Sequence, residues 1–127
     1  MIPFAAMSDV LLATDADWLF ADVTAALGGS HDVHRVREGA HVASAMSEVE
    51  PELVILDLQI GNMGGVATSL LIKQEARAGR LPDVPVMLLL DREADEFLAT
   101  QSDADTWVTK PLNSLALRRA AQNLLAD

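Results

Sequence analysis

An α/β fold built on one parallel, doubly wound sheet is what this sequence predicts, and three observations carry that expectation. Short unbroken apolar runs alternate with stretches of helical periodicity along the chain. Glycine, proline and polar residues separate the two kinds of segment. No repeat, low-complexity stretch or internal linker interrupts the alternation. Such an order implies parallel strands with helices on both faces.

The first strand is residues 10–13, Val-Leu-Leu-Ala. A helix follows with Leu19, Val23, Ala26 and Leu27 on one face, stopped by Gly28-Gly29. The second strand, residues 33–36, is weaker, and His34 and Arg35 suit it to a sheet edge. Val42, Ala45, Met46 and Val49 make the next helical stripe, ended before Pro51. Residues 53–56 and 86–90 are wholly apolar and read as strands buried on both faces. Between them a third helix starts with Val66, Leu70 and Leu71 and stops near Gly79. The polar segment 92–99 is a short fourth helix, and residues 106–109 are the fifth strand. Pro111 opens the last helix, where its missing N–H costs nothing, and Leu117, Ala120, Ala121 and Leu124 form its stripe. Five strand–helix units favour the flavodoxin-like order, in which function sits at the carboxyl ends of the strands.

Composition narrows the function classes. At 127 residues the chain reads as one domain, with residues 1–7 an N-terminal extension and Met7 an alternative initiator. Half the residues are apolar, enough for a single core at this size. Without cysteine there is no disulfide framework, thiol nucleophile or Cys-type zinc site, which fits a cytoplasmic location. Nineteen acidic side chains against nine basic ones give a net charge of −10, which argues against nucleic-acid binding. The apolar runs fall far short of the roughly 20 residues that span a bilayer, and residues 1–7 lack the basic start of a signal peptide.

The chemistry collects at the strand ends. Asp57 closes the run Leu53-Val54-Ile55-Leu56 and so points from a buried strand into the crevice. Asp15 ends the first strand, after Thr14. Two nearby carboxylates repel unless a cation separates them, and hard divalent ions such as Mg²⁺ prefer such oxygen ligands. Lys110, one of two lysines in the chain, stands between a strand end and Pro111, where its ammonium can pair with a phosphoryl oxygen.

From residue 10 to 125 the chain resembles a response-regulator receiver domain. The resemblance rests on Val10-Leu11-Leu12-Ala13-Thr14-Asp15, Leu53-Val54-Ile55-Leu56-Asp57, Gly65, Pro85-Val86-Met87-Leu88-Leu89-Leu90 and Trp107-Val108-Thr109-Lys110-Pro111, in that order and spacing. It implies two-component or phosphorelay signalling. Asp57 would take a phosphoryl group from a histidine kinase or phosphotransfer protein. Asp15, Asp57 and the backbone carbonyl of Gln59 would hold Mg²⁺, and Lys110 would contact the phosphoryl group. Such a domain is a phosphoacceptor and not a classical enzyme, and it signals to a downstream protein that the sequence does not name. A homodimer through the last helix, near Arg118-Arg119, is a further expectation, as is action as a stand-alone domain.

Four positions depart from the family's pattern. Thr14 stands where a first acid is usual, so Mg²⁺ binding should be weak. Leu90 replaces the Ser or Thr that bonds the phosphoryl group, a bond worth roughly 1.5–3 kcal/mol. Asp91 stands next, where a small residue is usual; it would oppose an anionic donor or restore the missing metal charge. Gly61 replaces a proline, which should leave the loop Gly61-Asn62-Met63-Gly64-Gly65 unusually free. Trp107 occupies the aromatic switch position, yet Leu90 has no hydroxyl with which to couple to it. The alternative reading is therefore a degenerate receiver, a phosphorylation-independent interaction module. A flavodoxin-like enzyme or nucleotide carrier is disfavoured, since no phosphate-binding glycine motif is present. His31, His34 and His41 read as surface histidines, and Trp18 as a packed or part-exposed start of the first helix.

Overall fold

Residues 8–125 are described by a computed structural model; the expected extension, residues 1–7, lies outside the described residues. The chain runs β1 (Ser8–Ala13), α1 (Asp17–Leu27), β2 (His31–Val36), α2 (Val42–Val49), β3 (Leu53–Asp57), α3 (Gly65–Arg77), β4 (Val86–Leu90), α4 (Glu96–Gln101), β5 (Thr106–Thr109) and α5 (Ser114–Leu125). Single 3-10 turns over Gly39–His41 and Glu93–Asp95 lead into α2 and α4. The sheet order is β2-β1-β3-β4-β5 and every pairing is parallel. This is the expected flavodoxin-like sheet, with β2 at an edge. The chain reverses its direction of travel across the sheet between β1 and β3, and ligand crevices form at such a reversal.

The continuous apolar runs are explained by burial on both faces. Along β1, β3 and β4, alternate side chains enter two separate cores. Leu11, Ala13, Val54, Leu56, Val86, Leu88 and Leu90 pack with Val42, Met46, Ile72 and Ala99, from α2, α3 and α4. Val10, Leu12, Leu53, Ile55, Met87 and Leu89 pack with Leu19, Val23, Leu27, Leu117 and Ala121, from α1 and α5. Each of these larger aliphatic side chains contributes roughly 1.5–3 kcal/mol through burial.

Helix ends obey local chemistry. Asp17 places an acid in the first turn of α1, and Gly28 closes that helix with its N–H on the Thr24 carbonyl. Gly79 takes a positive φ of 77° just beyond α3, at the stop the sequence predicts. Three expectations are corrected. The buried face of α3 is Gly65, Thr68, Ser69 and Ile72, while Leu70 is exposed. Small and hydroxyl-bearing residues let α3 lie close to the sheet, and Ser69 donates to the Ser102 carbonyl at 2.7 Å. The last helix begins at Ser114 rather than at Pro111. Asn113 Oδ1 accepts the Ala116 N–H at 3.0 Å and so fixes that start, while Pro111 stays outside, joined to Lys110 by a cis peptide bond. The fourth helix begins later than expected, at Glu96.

Candidate functional site

The carboxyl ends of β1, β3, β4 and β5 converge on Asp57. In the β1–β3 ladder Ala13 faces Leu56, so one further step sets Thr14 beside Asp57. In the β4–β5 ladder Leu90 faces Thr109, so the next step sets Asp91 beside Lys110. Register alone thus brings together four of the residues singled out in the sequence.

Asp57 is 3% exposed, and its carboxylate is held by three donors. Thr14 Oγ1 donates to Oδ2 at 2.8 Å. Lys110 Nζ donates to Oδ1 at 2.7 Å, and the Gln59 N–H donates to the same oxygen at 3.2 Å. The Ala16 N–H, at 3.1 Å, points at Thr14 Oγ1, so the single hydroxyl proton of Thr14 is free for Asp57. Of about four lone-pair positions on an ionised carboxylate, three are used, and the open one lies on Oδ2.

Lys110 has a second carboxylate partner, Asp91 Oδ1, also at 2.7 Å. One ammonium is therefore shared by two acids. Burial pulls Lys110 down, but hydrogen bonds to Asp57 and Asp91 and their charges outweigh it and hold the amine above its ordinary value. Burial pushes the Asp91 carboxyl up, but hydrogen bonds from Lys110 and Gln59 and the charges of Lys110 and Arg92 leave it below the usual carboxylate value. The Trp18 ring adds a contact the sequence did not signal. Its centroid is 5.9 Å from Lys110 Nζ, within cation–π range, and the ring is more than half exposed over the site.

Asp15 sits at the margin. It is exposed, and its Oδ2 lies 3.8 Å from where a side chain on Gly61 would begin. Asp15, Asp57 and Asp91 against Lys110 give the site a formal net charge of −2. Leu90 is fully buried, with Trp107 packed against the same core.

The loop expected to be free is pinned instead. The Gly39 and Ala40 N–H groups donate to the Gly61 and Asn62 carbonyls at 3.1 and 2.9 Å, and Thr68 Oγ1 donates to the Met63 carbonyl at 3.2 Å. Its positive φ values fall on Asn62 and Met63, not on its glycines. Gly65 is needed for a different reason: a Cβ there would lie 2.6 Å from the Asp57 carbonyl oxygen.

The histidines do not join the site. His34 pairs with Asp9 at 2.9 Å, and His41 with Glu38 at 3.3 Å. Asp9, Asp32 and His34 are, among the described residues, the one group of three side chains placed closely enough to share a metal ion. Asp9 and Asp32 pair near the amino ends of β1 and β2, and His34, in the middle of β2, turns its ring to them.

No protein-family model matches the chain. The aerobic respiration control protein ArcA of Escherichia coli K12 is 31% identical over 98 residues, 76% of this chain and 39% of that protein. The chain belongs to the response-regulator receiver domains. It spans about two fifths of the length of ArcA. Solved receiver domains share its fold. That of a signal transduction histidine kinase from Syntrophus aciditrophicus superposes with a TM-score of 0.82 at 24% identity, covering 94% of this chain and 90% of that one. That of a sensor histidine kinase from Pseudomonas aeruginosa PAO1 gives 0.83 at 18% identity, covering 96% of this chain and all of that one, and holds a magnesium ion in its active-site cleft. Among the described residues of this receiver, no helix is long and apolar enough to cross a membrane.

Proposed function

We propose that this receiver accepts a phosphoryl group on Asp57 from a histidine kinase or phosphotransfer protein and signals through protein contacts. The observation that carries this reading is the three-donor cradle around the Asp57 carboxylate. Thr14 and the Gln59 N–H fix the plane of the carboxylate and so aim its free lone pair at the crevice. A P–O bond to Asp57 forms as the donor's phosphoramidate P–N bond breaks, and the leaving imidazole takes its proton from solvent. Lys110 offsets charge on the phosphoryl oxygens, at a site where burial makes that interaction stronger than in water.

The oxygen donors present suit a hard divalent ion: the Asp15 carboxylate, the Asp57 carboxylate and the Gln59 carbonyl. A magnesium ion held there would supply Lewis-acid stabilisation of phosphoryl charge, and with Thr14 in place of a second acid its binding is weak.

The test is intact-mass measurement after incubation with Mg²⁺ and acetyl phosphate or phosphoramidate. One added phosphoryl group in the wild type, absent in Asp57→Asn, supports the reading. No addition from either small donor or from charged phosphotransfer proteins overturns it.

A further inference from the structure

A receiver whose fourth strand ends in leucine cannot pull its next loop inward with a hydroxyl. Leu90 is fully buried and has no polar atom to offer. The residue after it is nonetheless bonded to the site, because Asp91 Oδ1 lies 2.7 Å from Lys110 Nζ. The same ammonium is 2.7 Å from Asp57, so two carboxylates and one lysine form a closed cluster. The other lysine of the chain is engaged elsewhere, on Asp105 at 2.7 Å.

A phosphoryl group on Asp57 changes this balance. It turns one negative charge into about two and presents three strong acceptor oxygens. Those oxygens compete with Asp91 for the Lys110 protons, and their charge repels the Asp91 carboxylate. Asp91 is about one-third exposed, so water is available to it once it lets go. The turn after Asp91 transmits the release. Asp95 Oδ2 accepts the Arg92 N–H at 3.2 Å, and the Asp95 N–H bonds the Arg92 carbonyl at 3.0 Å, so the turn moves as a unit. It leads into α4, six residues long, whose one buried side chain is Ala99.

We propose that Asp91 is the switch residue of this receiver: it holds Lys110 at rest, is displaced when Lys110 turns to a phosphoryl group on Asp57, and loosens the 92–101 segment outward. The inference rests on the phosphoacceptor reading above. It replaces attraction of the loop by release of a tether, and Asp91 acts as a positioning residue through Lys110.

Amide hydrogen exchange of residues 92–101 tests it, in wild type and Asp91→Asn, each with and without phosphodonor and with uptake checked by intact mass. Phosphorylation of the wild type is expected to speed exchange across this segment by about tenfold, since release lowers its local stability. Unmodified Asp91→Asn is expected to exchange at the raised rate already and to change little on phosphorylation. Unchanged or slowed exchange in the phosphorylated wild type overturns the proposal, as does an unmodified Asp91→Asn that matches the unmodified wild type. If neither protein takes up a phosphoryl group, the phosphoacceptor reading fails and the displacement falls with it. The two unmodified proteins then still report whether the Lys110 bond tethers the segment.

Discussion

Thr14 donates its hydroxyl proton to Asp57 Oδ2 at 2.8 Å, so the residue standing where an acid is usual serves Asp57 as a hydrogen-bond donor. Both side chains are buried, and a bond to a buried charged group is worth roughly 1.5–3 kcal/mol. Thr14→Val keeps the shape and removes the donor. Its unfolding free energy, read from urea denaturation, is expected to fall by an amount in that range, with a lower midpoint. A midpoint within error of wild type would show that the bond contributes nothing.

Thr14→Asp sets a second carboxylate against Asp57. Without divalent ions the variant is expected to be less stable than wild type, because two close buried anions repel. Mg²⁺ that binds only the folded state then restores stability by mass action. Thermal unfolding with and without Mg²⁺ checks this, and the expected rise is larger in the variant than in wild type.

The Lys110–Asp91 pair makes a pH-dependent contribution with a defined window. Asp91 is held below its ordinary 3.8, so its contribution is present above that pH and is lost as pH falls through the lower folded value. Lys110 is held above its ordinary 10.5, so its contribution is present below that pH and is lost as pH rises through the higher folded value. The stability difference between wild type and Asp91→Asn is therefore expected to be flat between these limits and to shrink beyond both. Urea denaturation across pH reads it, and a difference that changes steadily near neutrality contradicts the pairing.

Gly65 lies where α3 meets the end of β3, and a methyl group there meets backbone on two sides, 2.6 Å from the Asp57 carbonyl oxygen and 3.0 Å from Leu58 Cα. Gly65→Ala is expected to cost about 1–3 kcal/mol, as other overpacked sites do. It is also expected to slow phosphoryl uptake, because the strand end that yields is the one carrying Asp57. Unfolding and uptake rate, measured on the same variant, separate the two effects.

Met63 holds a φ of 81°, in a region side chains rarely adopt, and is substantially exposed. Such strain costs of order 1–3 kcal/mol, against about 0.5–1 kcal/mol for the extra freedom of glycine when unfolded. Met63→Gly is thus expected to raise the unfolding midpoint slightly. A clear fall would place the backbone of this loop elsewhere.

The parts of the fold that are legible in the sequence are those where chemistry is one-sided. β1, β3 and β4 are legible because each carries an unbroken apolar run, residues 10–13, 53–56 and 86–90, buried on both faces. Asp57 and Lys110 are legible because a charge that ends or succeeds a strand at the carboxyl edge breaks the apolar pattern. The inner face of α3 is not, because Thr68 and Ser69 satisfy their hydroxyls through chain-distant or loop carbonyls that no periodicity marks. The start of α5 is hidden because a proline signals a helix opening, while Asn113 three residues before Ala116 carries the cap. The Asp91–Lys110 bond needs only the register of β4 against β5, which no single strand's sequence supplies. Trp18 over Lys110 depends on the entry angle of α1, for which the sequence holds no local mark.

The whole functional account depends on the proposed phosphoacceptor, Asp57, in its cradle of Thr14, Gln59 and Lys110. The most direct measurement treats the phosphodonor-exposed protein with borohydride, which reduces an acyl phosphate to an alcohol, and sequences the peptides by mass spectrometry. The expected result is homoserine at position 57 and aspartate at positions 15 and 91. Unmodified aspartate at 57, or reduction at another acid, would contradict it.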